Sequence, residues 1–154
     1  MHTIADVAES SDRFTNTPYP TLGAIGNINI GGKSIYRGIL TGYNAAFIVD
    51  QATKDALVAA DPRSEELLKP VLRGRDIARY RANWAGLWLI DTHNGYGGVP
   101  PVDVDDYPPV KAHLDGFYDH LVRRQDQGVT PYNLRNCAYH EHFSGTKLLW
   151  RDMA

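Results

Sequence analysis

The sequence predicts a small α+β domain: a mixed sheet of short strands with one long and two short helices. Three observations point to it. Val110, Leu114, Phe117 and Leu121 recur at helical spacing, which marks one apolar stripe along a helix. Asp50 and Asp61 each stand just before a helix-compatible segment, where a short acidic side chain can accept orphan backbone N–H bonds. The remaining apolar runs, Ile35 to Leu40, Ala46 to Val49 and Leu87 to Ile90, have the length of short strands. Mixed elements without strict βα alternation favour α+β over a doubly wound sheet.

Taken in order, residues 1–34 form a weakly patterned N-terminal arm with at most one strand, near Ala24 to Ile30, before the Gly31-Gly32 turn. Residues 35–154 make up the domain proper. The runs Ile35 to Leu40 and Ala46 to Val49 read as two strands joined by a tight turn at Thr41-Gly42-Tyr43-Asn44. Asp50 caps a helix from Gln51 to Ala60. Asp61, followed by Pro62 at a first helical position, opens another to about Lys69, which Pro70 ends. Leu87 to Ile90 is a buried strand, and the Gly-, Pro- and Asp-rich stretch Asp91 to Asp106 an exposed, mobile loop. Pro108 to Gln127 is the longest helix, closed by Gly128. Leu148 to Trp150 is a final strand.

With 154 residues, 43% of them apolar, the chain is long enough for one core and has little room for a second. No apolar stretch reaches the roughly 18 residues of a membrane span, so a soluble, cytoplasmic protein is expected. The single Cys137 has no partner for a disulfide or a cysteine-based zinc site, and packing is its expected role. Net charge is −2, from 16 basic and 18 acidic residues, unlike the basic excess of free-standing nucleic-acid binders. The charge is nevertheless segregated. Lys69, Arg73, Arg75, Arg79 and Arg81 meet only Asp76 across Lys69 to Arg81, while Gly97 to His120 is rich in aspartate. One face can therefore be basic.

Two glycine-centred blocks carry the chemistry. In the first, Arg37-Gly38-Ile39-Leu40-Thr41-Gly42-Tyr43-Asn44-Ala45-Ala46-Phe47-Ile48, Gly38 and Gly42 permit a turn or a close approach, and Thr41 and Asn44 supply short donors and acceptors beside it. Those groups suit phosphates or base edges; they equally suit the backbone of their own turn. In the second, Leu72-Arg73-Gly74-Arg75-Asp76-Ile77-Ala78-Arg79-Tyr80, the arginines offer planar forks that match phosphate or guanine. Tyr80 adds a ring with a polar tip. Asp76 is expected to orient one arginine, since a bare carboxylate repels phosphate. The alternative for each arginine is a pairing with the Asp-rich loop.

Read together and in this order, the blocks resemble the TaqI-like C-terminal specificity domain of Type IIG restriction–modification enzymes and related adenine-specific DNA methyltransferases. The resemblance covers roughly residues 35–151. It extends to Pro131-Tyr132-Asn133-Leu134-Arg135, where Tyr132 stands in a position at which tryptophan is common, and to Lys147 before Leu148-Leu149. It implies a target-recognition module that binds double-stranded DNA through Arg37, Thr41, Asn44, Arg73, Arg75, Arg79, Tyr80, Arg135 and Lys147, with Gly38, Gly42 and Gly74 as structural turns. It also implies that the chain is a piece of a longer protein, truncated at its C-terminal end. The parent's N-terminal domain would hold S-adenosylmethionine and methylate adenine, with restriction endonuclease activity open and phage defence as the setting. The alternative is a protein-interaction module that docks the methyltransferase domain without touching DNA.

No catalytic constellation stands in the chain itself, and neither a metal site nor a cofactor is expected in it. His140-Glu141-His142 has the wrong spacing for a helical zinc motif and reads as a surface pair. Asp91-Thr92-His93-Asn94 carries almost no specificity as a nuclease signature, and Tyr107-Pro108-Pro109 reads as a helix start. There is no glycine-rich phosphate cradle. The expected role is that of a reader and not an enzyme.

Overall fold

The computed structural model describes residues 21–22, 29–30, 33–34, 38–78, 81–144 and 149. Within them the order is β1 (Thr21–Leu22), β2 (Asn29–Ile30), β3 (Lys33–Ser34), α1 (Asn44–Phe47), β4 (Ile48–Val49), α2 (Gln51–Ala60), a 3-10 helix (Pro62–Leu67), β5 (Leu68–Pro70) and β6 (Leu72–Arg73). A 3-10 turn (Gly74–Asp76), β7 (Ile77–Ala78), β8 (Arg81–Ala82) and β9 (Trp88–Ile90) follow, then a 3-10 turn (Val104–Asp106), α3 (Pro108–Asp115), α4 (Tyr118–Leu121) and a last 3-10 helix (His140–Ser144). This is the expected small α+β fold. Its centre is the antiparallel sheet β4-β9-β5, in which Leu89 faces Ile48 on one side and Lys69 on the other. Two-stranded pairs flank it: β2 with β3 and β7 with β8, both antiparallel, and β1 with β6, parallel.

Local chemistry explains several elements as expected. Asp50 accepts the Thr53 N–H at 2.8 Å and starts α2 at Gln51, satisfying one of the orphan donors of a helix start. Asp61 likewise accepts from Arg63 N–H at 3.0 Å, with Pro62 next. Here the product is a 3-10 helix that ends at Leu67, short of Lys69. Residues Leu68 to Pro70 pair with β9 instead, because burying Leu68 against the central strand outweighs helix propensity. Pro70 is tolerated there since β5 is an edge strand of that sheet.

Elsewhere tertiary packing overrides the local pattern. The expected strand Ala46 to Val49 is half helix: Asn44 to Phe47 form one turn, closed by Ile48 N–H on the Asn44 carbonyl, before β4 begins. Ala45-Ala46 favours that turn intrinsically. The expected long helix from Pro108 to Gln127 is two segments, α3 and α4, parted at Gly116-Phe117 and finished at Leu121. Gly116 weakens the helix at that step by roughly 1 kcal/mol relative to alanine, yet Val110, Leu114 and Leu121 all remain fully buried. Gly128 does not close a helix. A Cβ there would lie 2.4 Å from Asn94 Oδ1, so glycine allows two loops to touch.

Nor is the loop from Asp91 an exposed one at its start. Asp91 and Thr92 are buried, Thr92 Oγ1 donates to the Tyr132 carbonyl at 2.7 Å, and Leu134 N–H returns to the Thr92 carbonyl at 2.8 Å. Cys137 packs against the core, as expected. Ile35 to Arg37, most of the Ala24 to Ile30 segment, and Leu148 and Trp150 of the expected final strand lie outside the described residues. Leu89, buried at the middle of the central strand, is the sharpest test of this core. Replacement by alanine is expected to cost about 2–5 kcal/mol, read as a lower midpoint in urea denaturation.

Candidate nucleic-acid interface

The first glycine block wraps around a residue distant in sequence. Gly42 has φ +65°, and a Cβ on it would lie 3.1 Å from Asp126 Cβ, so both conformation and space require glycine. Thr41 is buried, and its hydroxyl donates to Asn44 Oδ1 at 2.5 Å. That leaves the Asn44 amide nitrogen, on an exposed residue, as the outward donor of the turn. The Thr41 carbonyl accepts from Arg124 Nη1 at 2.5 Å.

Arg124 is the organiser of this region. Its side chain is buried and also donates to the carbonyls of Asp126 at 2.8 Å, Pro131 at 3.0 Å and Asn133. The guanidinium carbon lies 4.6 Å from the Phe47 ring centroid, a cation–π placement. Burial pushes the guanidinium pKa down to about 10, which leaves it cationic at neutral pH. Arg124 follows Leu121 by three residues and so continues the stripe begun at Val110, a signal that could have singled it out. Asp126 in turn pairs with Arg135, Oδ1 to Nη1 at 3.3 Å. Thr41, Asn44 and Arg135 are thereby gathered into one region.

The second block is organised from within. Asp76 is buried and takes Arg73 in a two-pronged pair, Nε at 2.9 Å and Nη2 at 2.8 Å, while also accepting the Arg73 N–H at 2.8 Å. The Arg73 guanidinium holds the Asp76 carboxyl below the usual carboxylate range, and N–H donation adds to this. The expectation that Asp76 orients an arginine is met. Gly74 opens the 3-10 turn between them, and Arg75 stands exposed at its middle. Asn83 N–H donates to the Asp76 carbonyl at 2.7 Å, tying the turn to the strand that follows. Among the described residues the Asp-rich loop takes Lys111, through Asp105, and not these arginines.

Gly38 is buried, next to the core residue Ile39. Arg37, Arg79, Tyr80 and Lys147 lie outside the described residues. Tyr132 donates its hydroxyl to Asp115 at 2.6 Å, which pushes its pKa up to about 12.

A further cluster went unread in the sequence. His140 is not a surface residue: its Nε2 meets both carboxylate oxygens of the buried Asp91, at 3.0 and 2.9 Å. The His140 ring stacks on Tyr96 at 4.3 Å and lies 5.3 Å from that of His93. The pair spans 49 residues in sequence, and no local motif announces it. Among the described residues no group of three ligating side chains is placed to hold a metal.

Over 119 residues this chain is 27% identical to the Type II methyltransferase M.BstVI of Geobacillus stearothermophilus. The chain is thus related to a restriction–modification methyltransferase. The match covers 75% of the chain and 20% of that protein. No protein-family profile matches the chain, and no solved structure does.

Two outcomes follow from the buried charges. Arg124→Met strands the carbonyls of Thr41, Asp126 and Pro131, while Asn133 keeps the Gly128 N–H; at about 1–3 kcal/mol for each acceptor left buried without a donor, it is expected to lower stability by about 3 kcal/mol or more in urea denaturation. Arg124→Lys rescues it only in part, because a compact ammonium does not span the carbonyls a planar fork reaches. Asp76, with its folded pKa lowered, contributes stability that is present above its ordinary value of 3.8 and is lost as pH falls through the folded value. The gap in urea midpoint between wild type and Asp76→Asn is therefore expected to be constant above about pH 5 and to shrink on further acidification.

Proposed function

We propose that this chain is the DNA-sequence-reading part of a Type IIG-like restriction–modification adenine methyltransferase, binding double-stranded DNA on behalf of a separate catalytic domain. The observation that supports this best is the Arg73–Asp76 clamp, which fixes a turn with an exposed arginine at its centre, in a chain similar to a Type II methyltransferase. A guanidinium fork on a rigid turn suits phosphate or guanine. Asp76 neutralises Arg73 locally, so Arg75, with Arg79 and Tyr80 after it, is the contact with DNA. Arg73 acts as a positioning residue. Asn44 and Arg135, gathered by Arg124 and Asp126, form a second contact region, with Arg37 and Lys147 as further donors to phosphate.

In the parent, S-adenosylmethionine supplies the methyl group for an adenine amino group. Gly97 and Gly98, after β9, sit in a turn closed by Tyr96 and Val99, which exchange N–H to carbonyl bonds of 3.1 and 2.7 Å, and no helix follows that turn directly, so it is not the strand, glycine loop and helix of a nucleotide-cofactor cradle. Cofactor and catalysis are therefore assigned to the rest of the parent, as is any cleavage. Extruding a base costs a few kcal/mol, which contacts on the flanking duplex offset; that is the purpose of a reader on a methyltransferase.

The test is a salt titration of duplex binding by fluorescence anisotropy, comparing the chain with an Arg75→Ala/Arg79→Ala variant. Each lost phosphate contact is expected to lower the slope of log affinity against log salt by about 1. An unchanged affinity and slope in a folded variant would exclude the DNA contact and leave the docking of a methyltransferase domain as the role.

A further inference from the structure

The Asp91–His140 pair lines a cavity of about 310 Å³, together with His93 and Tyr96. That volume is at the lower end of the roughly 300–1,000 Å³ of small-ligand sites, room for one ring system and little more. Its chemistry argues against a catalytic centre. Asp91 holds His140 Nε2 through both carboxylate oxygens, yet among the described residues no hydrogen bond joins the other ring nitrogen to a nucleophile, which such a pair needs. Ser144 reaches the cavity, but no described hydrogen bond joins it to His140.

As a binding site the cavity is well furnished. Gly95 N–H donates to His93 Nδ1 at 3.2 Å, which places the His93 proton on Nε2 and makes that atom a donor of fixed identity. Burial lowers the His93 pKa below the ordinary imidazole value, so the ring stays neutral at neutral pH. Glu66 holds the Tyr107 hydroxyl through one oxygen, leaving its second oxygen as an acceptor on the cavity wall. Lys69 adds a donor, and Val102 and Phe143 complete the lining with apolar surface. Two carboxylates in the wall disfavour an anion, while Lys69 in the same lining disfavours a cation. What fits is an uncharged planar ring that both donates and accepts hydrogen bonds.

We infer that this cavity binds the base of a nucleoside or nucleotide, with His93 Nε2–H donating to a ring acceptor and the second Glu66 carboxylate oxygen accepting from an exocyclic amino group. It rests on the DNA-reading proposal only for one source of the base, a nucleotide unstacked from bound duplex. The other source is a free nucleoside.

The test uses the 154-residue chain with three probes: adenosine, cytidine and a duplex carrying 2-aminopurine. Ring-proton NMR shifts of His93, Tyr96 and His140 report the nucleosides, and 2-aminopurine fluorescence reports unstacking. Saturable ring shifts, a fluorescence rise, or both are expected, each weakened tenfold or more by His93→Phe and by Val102→Trp, which fills the cavity. Shifts with nucleosides alone identify the free ligand as the source, and a fluorescence rise identifies DNA. Neither signal, or signals that survive both substitutions in folded protein, overturns the inference whatever the DNA affinity. Nucleoside shifts in a chain that binds no DNA sink the reader proposal and leave the cavity assignment standing.

Discussion

A single buried guanidinium sets the geometry on one side of this molecule. Arg124 reaches carbonyls at Thr41, Asp126, Pro131 and Asn133, so one cation ties together acceptors of two separate chain segments. Burying a charge is costly unless it is hydrogen-bonded, and here carbonyl dipoles on the two terminal nitrogens substitute for a carboxylate, while the buried Nε has no partner among the described residues. The arrangement holds two irregular segments together, and the apolar stripe of the helices gives way to the Arg124 guanidinium one step after Leu121. The Gly42 turn, the Asn133 loop and the aromatic face of Phe47 are consequences of that placement.

The two glycine blocks, similar in composition, are built differently. The first is stabilised from outside, by Arg124 beneath it and Asp126 beside it. The second is stabilised from inside, by Arg73 and Asp76 within the block. A loop held by a remote residue shifts when that residue shifts, whereas a self-clamped turn keeps its form as its surroundings change. That difference makes the Gly74 turn the firmer platform for an outward-facing group.

Much of the fold was legible because it follows from short-range chemistry. Asp50 and Asp61 cap as their side chains dictate, Trp88 to Ile90 within the expected run Leu87 to Ile90 is strand, and Val110, Leu114 and Leu121 face the core as their spacing requires. What was not legible depends on partners far along the chain. Leu68 to Pro70 is strand only because β9 lies beside it. The Asp91–His140 pair left no trace at all in local pattern, since an aspartate before a threonine and a histidine before a glutamate look like loop composition until the fold brings them together. Of the residues expected to recognise DNA, Arg73 had a legible partner in Asp76, three residues away. The burial of Thr41 was not.

The Arg73–Asp76 clamp carries one more consequence. Because the bond is made by the two ends of the turn, the Arg75 side chain takes no part in its hydrogen bonds: position 75 is a socket into which different side chains can be set without breaking the frame. Under the proposed reading role, such a division of labour lets the scaffold stay intact while the contact varies by single substitutions.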